Sequence, residues 1–172
     1  DPGACSAFIN YNVTMTDNCP FLGPLVTLNT INSGGNAGNV GGMVFFDITN
    51  LTGSPLTITR FGMNISAATM VNIYTRPGTF AGFQANPGAW TLTASANATV
   101  GPFSGPFPGN GTITPAPVVA PAGGFVIPPG LTGIALHTLT AQQIYTNGNG
   151  TNQVYTDGSI TLNLGSAANT PF

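Results

Sequence analysis

Short apolar runs separated by glycine, proline and asparagine clusters dominate the sequence. Thr, Val, Ile and aromatic residues recur within these runs, which is typical of β-strands rather than helices. Only residues 135–145 resemble a helix, and two threonines there weaken that pattern. Regularly spaced short strands predict an all-β fold, an antiparallel, jelly-roll-like β-sandwich. The predicted strands are 7–16, 25–32, 43–50, 56–65, 69–76, 89–96, 112–120, 131–140, 143–147 and 159–164.

The N-terminal segment shows the cleanest alternation of apolar and polar residues. The opposite face carries Asn10, Asn12, Thr14 and Thr16. This period of two predicts a half-buried strand. We call its apolar face the assembly stripe, which consists of Ala7, Ile9, Tyr11, Val13 and Met15.

Two cysteines, Cys5 and Cys19, flank the assembly stripe. An intrachain disulfide requires Cα atoms about 4.4–6.8 Å apart, whereas ten extended residues span roughly 33 Å. Either the segment turns back near residues 10–12, or it runs straight and the cysteines pair with another chain or stay free. The alternation favours the straight strand and the even cysteine count favours the loop. The Asn-, Thr-, Gly- and Pro-rich composition is typical of secreted proteins, in which we expect these cysteines to be oxidised.

Charge is nearly absent from the chain. Its 172 residues include two Arg, four Asp and neither Lys nor Glu. So few cations argue against nucleic acid and against an electrostatic membrane contact as partners. No apolar run has the 18 or so residues that a membrane span needs. A net charge near zero favours association of copies, and the Asp1-Pro2-Gly3 start suggests a processed chain.

Catalytic and metal-binding patterns are weak. Asp47 and Asp157 are too isolated to predict a carboxylate pair. The sole histidine, His137, has no G-x-S-x-G partner motif, and two Cys with one His cannot close a zinc site. The loop at residues 147–152 offers oxygens for calcium, although an ordinary Asn-Gly turn explains it better. We expect no enzyme and no cofactor.

Two further patterns suggest contacts with sugars. Six N-x-[ST] sequons, against roughly three expected by chance, predict possible covalent glycans at Asn12, Asn50, Asn64, Asn97, Asn110 and Asn149. Four aromatic residues surround two Pro-Gly turns, and these are Tyr74, Phe80, Phe83 and Trp90. They predict either a sugar-binding shelf or, in better agreement with the usual role of large aromatics, part of the core.

Residues 36–164 resemble a family of secreted bacterial β-sandwich surface domains of poorly defined function. The resemblance rests on Asn36-Ala37-Gly38-Asn39, Met43-Val44-Phe45-Phe46-Asp47-Ile48-Thr49-Asn50, Leu56-Thr57-Ile58-Thr59, Val71-Asn72-Ile73-Tyr74-Thr75-Arg76-Pro77-Gly78, Ala89-Trp90-Thr91-Leu92, Ile127-Pro128-Pro129-Gly130 and Tyr145-Thr146-Asn147-Gly148. Against that family, residues 1–18 look like an added extension before a sandwich domain at 19–172, and a strand beyond Pro171-Phe172 is missing. The resemblance therefore implies donor-strand exchange of the kind seen in pilus-like fibres.

These observations lead to two hypotheses. The first is a structural subunit of an extracellular filament or surface layer, in which the assembly stripe of one copy completes the sheet of the next. Such head-to-tail contacts do not close and propagate as homopolymers. The alternative is a monomeric, secreted, surface-displayed module that binds carbohydrate or mediates adhesion through the four aromatic residues. Both place the chain outside the cell or at its surface.

Overall fold

The computed structural model describes residues 28, 30, 36–100, 103–104, 112–113, 116–119 and 124–172. Within them the chain forms β-strands and one 3-10 turn at Pro87–Ala89, with no α-helix. The strands are β1 (Asn36–Ala37), β2 (Met43–Asn50), β3 (Leu56–Ile58), β4 (Arg60–Ile65), β5 (Thr69–Pro77), β6 (Thr91–Ala98), β7 (Phe103–Ser104), β8 (Thr112–Ile113), β9 (Ala116–Val119), β10 (Phe125–Ile127), β11 (Gly130–Thr138), β12 (Gln143–Tyr145), β13 (Val154–Thr156) and β14 (Ile160–Ala168).

Most of the predicted strands are present in the structure, but their first and last residues differ from those predicted. The prediction of one strand over 56–65 is wrong, because the chain breaks at Thr59 and its halves pair with different partners. The strand expected at 89–96 begins two residues later, after the 3-10 turn. Four short strands that lack a recognisable pattern, β1, β7, β10 and β13, were not predicted. The predicted strand 7–16 and nearly all of 25–32 lie outside the described residues.

The fold is an all-β sandwich of antiparallel sheets. Five strands in the order β6-β5-β11-β2-β14 form the main layer, and β13 lies outside β14. At the other end β6 pairs with β9 only through Ala98 and Val118. Beyond this single pair the sheet continues as β9-β4-β12-β1. The antiparallel pair of β3 and β10 and the hairpin of β7 and β8 are separate two-stranded sheets.

One face of the main layer builds the larger core. Small and branched side chains from β2, β5, β6 and β11 point to this face and pack against β4, β3 and β10. The buried members are Phe46, Ile48, Met63, Ile65, Val71, Ile73, Ala94, Ala96, Ala98, Phe125, Ile127, Ile134, Leu136 and Ala141. Their contacts close the second layer over the first, because alternate residues of each strand point to the same face of the sheet.

The opposite face carries a smaller, aromatic core. Met43, Phe45 and Ala135 lie on adjacent strands and are buried there together with Trp90. The covering groups come from residues 78–90 and from Phe172 rather than from a second sheet. The two faces of one sheet are therefore covered by different kinds of structure.

Candidate functional site: an open strand edge and an aromatic cluster

The assembly stripe, Cys5 and Cys19 lie outside the described residues, as do Asn12 and Asn110. Their predicted roles and the choice between the two disulfide arrangements therefore stay predictions. What the structure does describe is the domain that a donated strand would have to join. The relevant features are its sheet edges and the apolar surface beside them.

Strand β6 has the longest open edge among the strands described. One side pairs with β5 from Thr69↔Ala98 to Thr75↔Thr91. On the other side, within the described residues, only Ala98 has a partner strand. In the part of the chain that the structure describes, the backbone from Thr91 to Asn97 has no partner strand on this side, and such an edge can accept an added strand.

Small side chains line the core-facing side of β6. Ala94, Ala96 and Ala98 alternate with exposed Thr93, Ser95 and Asn97, so the apolar row is regular. All three alanine side chains are buried, so this edge of the core is lined by small side chains. A neighbouring strand whose inward residues are bulky would complement the row.

The opposite end of the main layer is better covered but still incomplete. Strand β13 pairs with β14 from Thr161 to Asn163, and Leu164 N–H donates to the Gln153 carbonyl at 2.8 Å. The core-facing Ile160, Leu162 and Leu164 are nevertheless only partly buried. Both ends of the layer leave apolar surface accessible, and β6 leaves the longer backbone edge.

The four aromatic residues singled out from the sequence do lie together. They surround Phe45 and Phe172, and we call these six residues the aromatic cluster. The Phe172 ring lies 5.1 Å from Tyr74, 5.5 Å from Trp90 and 6.0 Å from Phe45, measured between centroids. Such edge-to-face and tilted pairs are the favoured arrangements of aromatic rings.

Hydrogen bonds hold the residue 78–90 loop over this cluster. The Trp90 indole N–H donates to the Phe83 carbonyl at 2.9 Å. The buried Asp47 carboxylate accepts from the Thr79 hydroxyl at 2.7 Å and from the Phe80 N–H at 2.8 Å. A strand carboxylate thus fixes the start of the loop whose aromatic rings cover the sheet.

Close packing extends to the strand beneath Phe80. A Cβ added at Gly165 would collide with the Phe45 carbonyl oxygen and with the Phe80 ring. Gly165 also lies at the bulge where the pairing of β14 with β2 shifts register. A glycine is therefore required there, since any side chain would displace the ring.

The cluster shows little free ring surface for a sugar. Trp90 is only 8% exposed, and the Arg76 guanidinium covers Phe83 with its Cζ 3.6 Å from the ring centroid. The other rings contact one another and Phe172. The arrangement is that of a packed minor core. The participation of Phe45 and Phe172 had no sequence signal beyond residue type, because both are distant in the chain from the Pro-Gly turns.

The described sequons differ in accessibility. Asn50 and Asn64 are each only 3% exposed, and Asn50 uses its side chain to bridge Thr52 and Ser54. Asn97 and Asn149 are exposed. A glycan needs its asparagine nitrogen at the surface, so in the folded domain Asn97 and Asn149 are the described positions with room for one.

The other residues considered as catalytic or metal-binding candidates lie in ordinary strands and turns. His137 lies on β11 between Met43 and Asn72, and burial lowers its pKa below 6.5. Backbone N–H groups of Ile160 and Ser159 lower the pKa of Asp157. In the loop at 147–152, Asn149 accepts from Thr151 and Asn152 donates to Asn147. No cluster of three His, Cys, Asp or Glu occurs in the described residues.

Comparisons with known proteins identify no relative of this chain. No protein-family model, no curated protein and no solved structure matches the chain. The resemblance to secreted surface domains therefore stays a prediction. Within the described part of the chain, no helix has the length and apolar character to cross a bilayer.

Proposed function

We propose that this chain is a structural subunit of an extracellular filament or surface layer. Its copies join head to tail when the assembly stripe of one subunit adds a strand to the sheet of the next. The observation that carries the proposal is the open edge of β6, which runs from Thr91 to Asn97 among the described residues. This edge of seven residues borders the core that the alanine row faces, and it is long enough to pair with most of the ten residues 7–16.

The two surfaces are complementary in pattern. The assembly stripe places large side chains on one face every second residue, whereas the core-facing row of β6 is Ala94, Ala96 and Ala98. The alanine side chains are already buried, so the apolar area gained by adding the stripe beside this row would come from the stripe itself. Burial of four large side chains stabilises by roughly 6–10 kcal/mol before ordering costs.

The charge pattern is consistent with assembly into a polymer. With 3% charged residues the chain has almost no side chains that would repel a second copy. Exposed sheet edges normally carry lysine or other charges that prevent such pairing, and β6 has none. Its exposed positions are Thr, Ser, Asn and Leu.

Deletion of residues 1–16 tests the proposal. We expect the truncated chain to stay dispersed in electron micrographs under conditions in which the full chain forms fibres with a subunit repeat. A synthetic peptide of residues 5–18 should bind the truncated subunit. Fibres of unchanged appearance from the truncated chain would contradict the proposal.

A matched pair of point variants tests the pattern rather than the mere presence of the extension. Val13→Asp places a charge in the assembly stripe, and Thr14→Asp places the same charge on the opposite face one residue later. We expect the first to abolish fibres and the second to leave them, because only the first buries an unpaired carboxylate. If the two variants form fibres to the same extent, the assembly stripe does not insert with one defined face toward the core of the next subunit.

A further inference from the structure

The loop between β12 and β13 carries two Asn-Gly pairs in succession. It runs over residues 146–153 and contains Asn147-Gly148 and Asn149-Gly150, all four of which are exposed. In an Asn-Gly pair the backbone nitrogen of the glycine can attack the side-chain amide carbon of the asparagine, because glycine has no Cβ that obstructs the approach. Both pairs share this local chemistry, so any difference in their reactivity comes from the surrounding structure.

The side-chain carbonyl of Asn149 accepts two hydrogen bonds from one residue. The Thr151 backbone N–H donates to Asn149 Oδ1 at 3.0 Å, and the Thr151 hydroxyl donates to the same oxygen at 2.9 Å. Because Thr151 lies two residues further along the chain, both bonds fold the amide over the intervening Gly150. Two donors on a carbonyl oxygen also stabilise the negative charge that develops there when a nucleophile attacks the carbon.

The backbone nitrogen of Gly150 lies in open surroundings. An added Cβ at Gly150 would meet nothing within 4 Å, and the residue has a φ of +87°, which glycine adopts readily. Its N–H donates to Gln153 Oε1 at 3.2 Å. Gln153 is itself tied to β14, because its carbonyl accepts from the Leu164 N–H at 2.8 Å. The attacking nitrogen therefore has free space around it and an acceptor that polarises its N–H bond.

The pair Asn147-Gly148 lies in a different environment. Among the described residues Asn147 Oδ1 accepts from Asn36 Nδ2 at 3.1 Å, and this donor belongs to β1 rather than to the same loop. The Asn147 backbone carbonyl accepts from Asn152 Nδ2 at 3.1 Å. A Cβ at Gly148 would lie 2.7 Å from the Gln153 side chain, so this glycine is closely packed. The amide of Asn147 has to leave another strand before the next nitrogen reaches it.

We infer that Asn149 is a site of spontaneous deamidation, which the folded loop promotes, and that it converts before Asn147. The Gly150 nitrogen gives its proton to solvent and bonds to Asn149 Cγ, and the charge of the tetrahedral intermediate rests on the Oδ1 that Thr151 holds. The Cγ–Nδ2 bond then breaks, and the nitrogen takes a proton from solvent and leaves as ammonia. Water opens the cyclic imide at either carbonyl, so the net reaction consumes water and yields aspartate or isoaspartate.

The reaction changes the charge of a nearly uncharged chain. The unmodified chain has two Arg and four Asp and a formal net charge of −2, and conversion of Asn149 adds a further carboxylate. The product also lacks the asparagine of the sequon at Asn149, so it cannot take an N-linked glycan there. Deamidation and glycosylation of this residue therefore exclude each other.

Ageing of the unglycosylated full-length chain tests the inference. Folded chain and chain unfolded in urea are incubated side by side in mildly alkaline buffer made with heavy-oxygen water. Peptide mass spectrometry then follows the replacement of each side-chain amide by a labelled carboxylate. In the folded chain we expect Asn149 to convert about tenfold faster than Asn147. In urea both should convert at nearly the same rate, which should be lower than that of Asn149 in the folded chain.

Two variants of Thr151 form a matched pair. Thr151→Val removes the hydroxyl donor and keeps the backbone N–H, whereas Thr151→Ser keeps both donors. We expect Thr151→Val to slow the conversion of Asn149 in the folded chain about fivefold, and Thr151→Ser to leave it near the unmodified rate. Neither substitution should change the order of the variants in urea, where the loop contacts are lost.

Three results would overturn the inference. Asn149 could convert in the folded chain no faster than Asn147. It could convert more slowly in the folded chain than in urea, which would show that the loop protects the amide. Thr151→Val and Thr151→Ser could convert at the same rate in the folded chain, which would exclude the hydroxyl from the reaction. None of these measurements depends on whether the chain forms fibres, so they are distinct from the tests of the proposed function.

Discussion

The two faces of the main sheet are covered in different ways. On one face, aliphatic side chains from β2, β5, β6 and β11 meet the second layer of strands. On the other, a loop at 78–90 and the ring of Phe172 cover Phe45 and Ala135. Packing on the first face consists of many apolar contacts. Packing on the second face consists of a few contacts with a specific geometry, namely aromatic ring pairs and the hydrogen bonds that hold the loop.

This difference shows how a nearly uncharged chain uses its few charged groups. Asp47 and Arg76 both lie at the aromatic face, where Asp47 fixes the loop and Arg76 covers Phe83. The charged side chains thus position the part of the fold that hydrophobic burial alone would leave loosely specified. The aliphatic face needs no such help because strand alternation already orients its side chains.

The largest effect should come from a cavity in the aliphatic face. Ile134 is fully buried on β11. Ile134→Ala should lower the free energy of unfolding by about 3 kcal/mol, because it removes buried methylene groups and leaves a void. Urea unfolding measures the change. Val126→Ala is the control, since Val126 is 61% exposed and its loss should cost less than about 0.5 kcal/mol; equal losses would contradict this assignment of the core.

A smaller effect is expected on the aromatic face. Phe172→Ala removes a partly buried ring that contacts Phe45, Tyr74 and Trp90. The free energy of unfolding should fall by about 2 kcal/mol, less than for a fully buried aromatic residue. Trp90 is the one tryptophan of the chain, so its fluorescence emission should shift to the red. Phe172→Leu should retain most of the stability, and an unchanged spectrum in Phe172→Ala would argue against the contact.

The smallest effect concerns the pH dependence of stability. Burial lowers the pKa of His137 below 6.5, so the unfolded chain binds a proton more readily than the folded one. Stability should therefore be at its plateau above pH 6.5 and fall as the pH drops through the window beneath it. The lowered pKa of Asp157 acts in the same direction, but only below about pH 3.8.

Thermal unfolding between pH 5 and 7 measures the histidine effect separately. His137→Gln should flatten the dependence in this range, while Asp157→Asn should leave it unchanged. A slope that persists in His137→Gln would assign the effect to another group.

Much of the fold was predictable because strand formation depends largely on the local sequence. The run at 43–50 is rich in apolar and aromatic residues and occurs as the strand predicted, and the whole is an antiparallel all-β sandwich as expected. The split at Thr59 was not predictable, because its cause is the pairing of β3 with β10 far along the chain. The candidate site was predictable only in part: the four aromatic residues were identified, but their partners Phe45 and Phe172 were not.

The sequence by itself determined the strand content, the alternation of the assembly stripe and the near absence of charge, since each depends on residue type and spacing alone. Tertiary structure decided which strand edge stays open, which asparagines are buried and which rings surround Phe172. These properties depend on pairing between residues far apart in the chain. Among the described residues β6 pairs with β9 only through Ala98 and Val118, and no local pattern in β6 specifies that its neighbour contacts it at this one position.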